Sequence, residues 1–199
     1  MSRTVVLDVG DVLVPTGALH ESVGAGLGLG EDAFRAGFGT GRAAYDLGGP
    51  AAHYWAGVVR AWGREPEAAL FAELERRDAG RWSALPADRA ALVAELAAAG
   101  DRLAILSNAP APLAAVARAA AWTDPFDVVV FSAEVGLVRP DPAVYARTDA
   151  LLGPAAGEVV FLDDKAVNVE AARAHGWTAH VFVDVATARR DLSRGDGTR

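Results

Sequence analysis

"VVLDVGDVLVP", residues 5–15, is an apolar run that stops abruptly at two carboxylates, Asp8 and Asp11, with Gly10 between them. A near-continuous run of Val and Leu this short reads as a strand buried on both faces, which is the pattern of a parallel sheet. In an open parallel sheet, ligands bind outside the carboxyl ends of the strands, where loops and helix N-termini converge. Acids at the end of a greasy strand therefore raise the expectation of a site. The same grammar recurs in "RLAILSN" (102–108), "FDVVVFS" (126–132), "EVVFLDD" (158–164) and, less sharply, "TAHVFVD" (178–184).

Between the later runs lie helical patterns. "PADRAALVAELAAAG" (86–100) begins with proline, carries Asp88 in its first turn and ends in glycine, as capping physics prefers. "PDPAVYARTDALLG" (140–153) and "KAVNVEAARAHG" (165–176) follow the same rule. Strands alternating with helices of this length predict βαβ units and an α/β fold, a Rossmann-like parallel sheet flanked by helices.

Residues 17–82 break that rhythm. They read as consecutive helices in "ALHESVGAGLG", "EDAFRAGFGTGRAAYDLG", "PAAHYWAGVVRAWG" and "PEAALFAELERRDAG". A helical block inserted after the first strand predicts an α-helical cap at 17–82 over a core domain formed by 1–16 and 83–199. The aromatic residues Phe34, Phe38, Tyr45, Tyr54, Trp55, Trp62, Phe71 and Trp82 are expected to form the core of that lobe. The glycine-rich "GAGLGLG" (24–30) offers no G-x-G-x-x-G register and no preceding strand, so it reads as the end of one cap helix and the start of the next.

Composition narrows the function. A chain of 199 residues, 52% hydrophobic and 23% charged, is long enough for one well-buried core with a small inserted lobe. A net charge of -7 argues against nucleic-acid partners, which require clustered Lys and Arg. The absence of cysteine excludes disulfides, thiolate metal sites and thiol nucleophiles. No apolar stretch approaches a membrane span, and Met-Ser-Arg-Thr leads directly into "VVLDV", so the expectation is a soluble, cytoplasmic protein without membrane partners. The four histidines show no ligand spacing. The oligomeric state is left open.

The predicted strand ends bring Asp8, Asp11, Ser107, Asn108, Ser132, Asp163 and Asp164 to one rim. Carboxylates that close repel one another unless a positive charge joins them, and oxygen-only ligands favour Mg²⁺. A divalent cation with a phosphate is the natural occupant, and Arg139, just before the helix starting "PDP", is a candidate anion clamp.

The ordered segments "LDVGDVLV", "ILSNA", "GLVRPDPAVY" and "FLDDKAVNVEAARAHG" resemble the four motifs of the haloacid dehalogenase (HAD) superfamily, in its subfamily with a small helical cap after strand one. The likeness is strongest to the glucose-1-phosphate phosphatase-like branch, whose first motif also carries glycine two residues after the nucleophile. The resemblance covers nearly the whole chain. It implies Asp8 as the nucleophile that becomes an aspartyl phosphate, and the Gly10 carbonyl as a backbone metal ligand. It implies Ser107 with the Asn108 backbone as the phosphate cradle, and Arg139 where the family usually has lysine. Asp163 and Asp164 match the metal-binding acid pair, and Asn168 matches a supporting amide. The implied cofactor is Mg²⁺ and the implied partner a small phosphorylated metabolite.

Two departures stand out. Most phosphatases of the superfamily carry at the Gly10 position an aspartate that protonates the leaving group, a contribution of about 10²–10⁴-fold. Asp11 is the candidate substitute, although its neighbouring position aims it differently and also suits a loop-anchoring carboxylate. The glycine itself invites the reading that its backbone adopts a conformation aspartate resists. Arg139 for lysine keeps the charge but spreads it over a planar fork. Lys165, the single lysine of the chain, follows the acid pair directly and is a candidate for compact charge near the phosphate. The expected function is Mg²⁺-dependent hydrolysis of a small phosphomonoester. The alternatives are a 2-haloacid dehalogenase-type hydrolase, using the aspartate on carbon without metal, and a weakly catalytic binding or regulatory protein of the same fold.

Overall fold

The five apolar runs are the five strands of one parallel sheet: β1 (Arg3–Leu7), β2 (Arg102–Ser107), β3 (Val128–Phe131), β4 (Glu158–Asp163) and β5 (Thr178–Val181). The computed structural model describes residues 3–153 and 157–194. The spatial order is β3-β2-β1-β4-β5, which puts β1 at the centre with Leu7 registered against Ile105 on one side and Leu162 on the other. Chain order reverses direction at β1, so the crevice at its carboxyl end is the switch point where such sheets bind ligands.

The pleat sorts the side chains by parity. Val5, Leu7, Leu103, Ile105, Val160 and Leu162 enter the core on one face, while Val6, Ala104, Leu106, Val159 and Phe161 enter the core on the other. Both faces are covered, as the unbroken apolar runs require. The first is packed by α6 (Ala87–Ala98), α7 (Ala111–Ala119) and α11 (Val185–Arg194), and the second by α9 (Pro142–Leu152) and α10 (Ala166–His175). The caps follow the sequence. The Asp141 carboxylate accepts the Ala143 N–H with Pro142 opening α9, and Gly176 ends α10 at a positive φ of 106°. Among the described residues no helix is long and apolar enough to cross a membrane.

Between β1 and α6 lie α1 (Leu19–Val23), α2 (Glu31–Phe38), α3 (Arg42–Asp46), α4 (Ala51–Ala61) and α5 (Ala68–Gly80). They share a separate apolar cluster built on Phe34, Phe38, Tyr45, Tyr54, Trp55, Trp62 and Leu74. Gly24 follows α1 and Gly30 precedes α2, the role expected of the glycine-rich stretch. A Cβ on Gly37 would lie 2.1 Å from Trp62 Nε1, and this close approach lets the indole donate to the Phe34 carbonyl at 3.1 Å.

Two expectations are corrected here. The single helix read over 31–48 is two, broken at Gly39-Thr40-Gly41, because Gly41 turns into the left-handed region at φ 72°. Trp82 does not belong to the cluster of the helical block. It packs with the sheet residues, 6.1 Å from the Phe131 ring, and its carbonyl accepts the Trp122 indole N–H at 2.8 Å.

Candidate active site

Each strand end delivers its polar residues to the same rim. Asp8 follows β1 directly, and its N–H continues the ladder by donating to the Leu162 carbonyl at 3.0 Å. Its Oδ1 accepts the Val9 N–H at 2.7 Å and Arg139 Nη2 at 2.9 Å. Asp8 Oδ2 has no hydrogen-bond donor among the described residues. Asp8, Asp163 and Asp164 each bring a carboxylate oxygen within 4.8 Å of the others.

Asp163, fully buried, is the most constrained of the three. Its oxygens accept Arg139 Nη1, the Lys165 N–H at 2.8 Å, and both contacts of the Asn168 amide at 2.9 and 3.0 Å. Asp164 is half-buried and faces the cleft. Burial, with Asp8 and then Asp163 beside it, pushes its carboxyl up to about 6. Burial also raises Asp163, against the pull of Arg139. Burial opposes the Arg139 charge, but Asp8 and Asp163 outweigh it and its pKa stands above the ordinary arginine value.

Arg139, the candidate anion clamp, thus spans two buried acids. Its position is enforced from β2: Asn108 Oδ1 accepts the Arg139 N–H at 2.9 Å, and Asn108 Nδ2 donates to the Arg139 carbonyl at 3.0 Å. The Asn108 side chain thus secures the loop that carries the arginine, beyond the backbone role expected of it. Ser107, buried, lines the same cleft. Ser132 does not line it. At the start of α8 (Ser132–Val135), its hydroxyl donates to the Asp46 carbonyl at 2.5 Å and accepts the Ala109 N–H at 2.9 Å, stitching the end of β3 to the helical block.

The unusual backbone anticipated at Gly10 falls instead at Asp11. Gly10 has open space where a Cβ would stand and no positive φ, whereas Asp11 sits at φ 55°. Asp is among the residues that tolerate this region best. The Asp11 carboxylate accepts the Thr16 N–H at 2.7 Å and the Thr16 hydroxyl at 2.7 and 2.9 Å, the geometry of a loop anchor. Lys165 lies at the entrance to α10 and lines the cleft.

The cleft, about 210 Å³, is closed on its other side by Phe38, Arg42, Asp46, Asp78, Arg81 and Trp82. Arg42 Nε donates to Asp46 at 2.7 Å, Arg81 Nη1 donates to Asp78 at 3.2 Å, and Arg42 Nη1 lies 3.7 Å from Asp78. Burial raises both Asp46 and Asp78 despite these arginines, and it lowers Arg81. Sequence reading missed all four charged residues. One signal was available, since Asp78 stands one helical turn after buried Leu74, on the apolar side of α5.

The donor set suits a hard cation. Three carboxylate oxygens within 4.8 Å of one another are near enough to share one such cation. Asp164 is the accessible member of the set, and Gly10 lines the same cleft.

The family model of haloacid dehalogenase-like hydrolases matches residues 3–176. Bifunctional epoxide hydrolase 2 of Rattus norvegicus is 36% identical over 74 residues, and that of Mus musculus 35%; the match takes in 37% of this chain and 13% of either relative. The chain thus spans only a small part of the length of these relatives. Among solved structures, an L-2-haloacid dehalogenase from Xanthobacter autotrophicus with chloropropionic acid covalently bound superposes at TM-score 0.68 and 26% identity, over 100% of this chain and 85% of that one. A HAD family enzyme from Bacteroides thetaiotaomicron in complex with magnesium and inorganic phosphate superposes at TM-score 0.66 over 91% and 94%, and at 19% identity it speaks to the fold alone.

Proposed function

The chain belongs to the haloacid dehalogenase-like hydrolases, and from that premise we propose that it hydrolyses small phosphomonoesters with Mg²⁺, through a phosphorylated Asp8. The observation that carries this reading is the excess of acid at the rim. Four carboxylates, Asp8, Asp11, Asp163 and Asp164, face two cations, Arg139 and Lys165. A halide-releasing reaction on carbon has no need of that surplus, whereas a divalent cation with a phosphate does.

The roles follow from the hydrogen bonds. Asp8 Oδ1 is occupied by Val9 and Arg139, so Oδ2 is the attacking oxygen. It forms the bond to phosphorus as the ester P–O bond breaks and the electron pair leaves with the alkoxide. Water then attacks the aspartyl phosphate, releasing phosphate and restoring the carboxylate. Asp8, Asp164 and the Gly10 carbonyl would hold Mg²⁺, which supplies charge neutralisation to the phosphoryl oxygens when bound. Asp163 holds Arg139 and is itself oriented by Asn168. Ser107, the Asn108 N–H and Lys165 receive the remaining phosphoryl oxygens. Asp11 anchors its loop through Thr16, and the leaving oxygen takes its proton from solvent.

A second reading, attack of Asp8 on the carbon of a 2-haloacid, is favoured by one observation: a halide leaves without a proton, and Gly10 offers none. Assaying a panel of phosphorylated metabolites and 2-chloropropionate with Mg²⁺ or with EDTA separates the two. Phosphate release that EDTA abolishes supports the phosphatase. Chloride release undiminished by EDTA overturns it, and Mg²⁺ binding without turnover of any ester leaves a binding protein.

A further inference from the structure

The two walls of the cleft differ in charge balance, and the difference bears on the part of the substrate that leaves. At the rim the four acids exceed the two cations by two charges, the surplus one Mg²⁺ would cancel. On the helical wall every charge is already matched: Arg42 is bound to Asp46, and Arg81 to Asp78. Each arginine makes a further contact. Arg42 also lies over the Phe38 ring at 5.6 Å, and Arg81 donates its Nη2 to the Pro15 carbonyl at 3.1 Å. Asp78 Oδ2, by contrast, is shut off from solvent without a hydrogen-bond donor among the described residues. The two arginines and two aspartates of the wall offset one another, so it carries no net positive charge.

Resting on the phosphatase reading above, we propose that the Arg42–Asp46 and Arg81–Asp78 pairs select phosphomonoesters whose leaving group is uncharged and hydroxyl-bearing, and reject those whose leaving group carries a carboxylate or a second phosphate. A hydroxyl both donates and accepts, so it satisfies a wall of fixed guanidinium N–H groups and carboxylate oxygens without displacing either. A carboxylate there meets two aspartates whose charges already offset the two arginines. Breaking a pair to free one strands the aspartate in a desolvated place, and like charges left together in such a place are costly. Phe38 and Trp82 also line the cleft, whose volume of about 210 Å³ limits the leaving group to a few carbons.

The test compares kcat/KM for glycerol 3-phosphate and 3-phosphoglycerate, two esters of similar size that differ by the carboxylate, with acetyl phosphate, whose leaving group is shorter and bears no hydroxyl, as the reference. All are assayed with Mg²⁺. The expected result is a preference of at least about tenfold for glycerol 3-phosphate. Asp46→Asn, which keeps a hydrogen-bond acceptor for Arg42 and removes the opposing charge, shrinks or inverts that ratio, and Arg42→Gln widens it. A role confined to holding the helices together lowers both esters in parallel and leaves the ratio where it was. Should Asp46→Asn fail to fold by circular dichroism, Asp78→Asn makes the same test from the other pair, and the ratio in the unaltered protein stands by itself. Acetyl phosphate turned over with 3-phosphoglycerate equal or preferred overturns the selectivity alone. Acetyl phosphate not turned over at all overturns the phosphatase reading and the selectivity with it.

Discussion

The rim of the sheet and the helical wall opposite are built from the same two residue types, arginine and aspartate, to opposite ends. At the rim, one buried arginine is shared by Asp8 and Asp163 while Asp164 is left with a raised carboxyl. On the helical wall each arginine has its own aspartate. Imbalance stores a demand for a cation, and balance stores none. A cluster of buried charge is therefore informative about chemistry through what it leaves uncompensated, and the number of charges matters less.

The largest effect expected from this contrast is at Asp8. Asp8→Asn, nearly isosteric, should leave the fold intact and lower phosphatase turnover on the order of 10⁴-fold or more, measured as phosphate release. Substantial residual rate would move the chemistry off the rim and collapse the distinction between the walls.

Next is the shared arginine. Arg139→Ala leaves Asp8 and Asp163 buried without their cation, and the expected loss is about 3–5 kcal/mol in urea unfolding with EDTA present. Mg²⁺ should recover part of that loss by binding the folded form, in the manner of any ligand specific to the native state. A variant as stable as the parent in EDTA would show that the acids at the rim need no cation.

Gly10 sharpens the contrast by addition. Because a Cβ there meets nothing within 4 Å and φ is not positive, Gly10→Asp should fold, and it restores an acid two residues after the nucleophile. Hydrolysis of alkyl phosphates should rise toward about 10²-fold, with aryl phosphates changing less, as general acid catalysis requires. An unchanged leaving-group dependence would show that proton delivery already has another source.

The smallest effect is in pH. The Asp164 carboxyl, near 6 in the folded protein, lies above its unfolded value of about 3.9, so the folded form holds the proton more tightly. Its contribution to the metal-free protein is therefore neutral below about pH 4 and increasingly unfavourable as pH rises to about 6, with solvent screening keeping it modest. Urea unfolding in EDTA across that window should show stability falling in the parent and flatter in Asp164→Asn. A parallel slope in the two proteins would remove the repulsion assigned to Asp164.

The strands and the rim were legible because their signals are local. Strands β1 to β4 each contain an unbroken run of three or four apolar residues, as a strand covered on both faces requires, and each run ends where polar residues begin. The acids Asp8, Asp163 and Asp164 then fall at one edge by topology alone. The break at Gly41 was harder, since helix-forming residues flank it on both sides and only the backbone reveals φ 72°. Hydropathy marks Trp82 as buried without saying in which of two clusters.

By itself, then, the amino-acid order determined the parallel sheet, the inserted helices and the strand-end acids, since periodicity and capping act within a few residues of the chain. Tertiary structure alone decided the charge pairing. Arg139 reaches Asp8 across 131 residues of sequence and Asp163 across 24, and Arg42 stands 3.7 Å from Asp78. It also decided that the left-handed residue of the first loop is Asp11, because Thr16 closes that loop onto its carboxylate. Such pairings depend on distance and desolvation in space, and neither quantity is written in the order of residues.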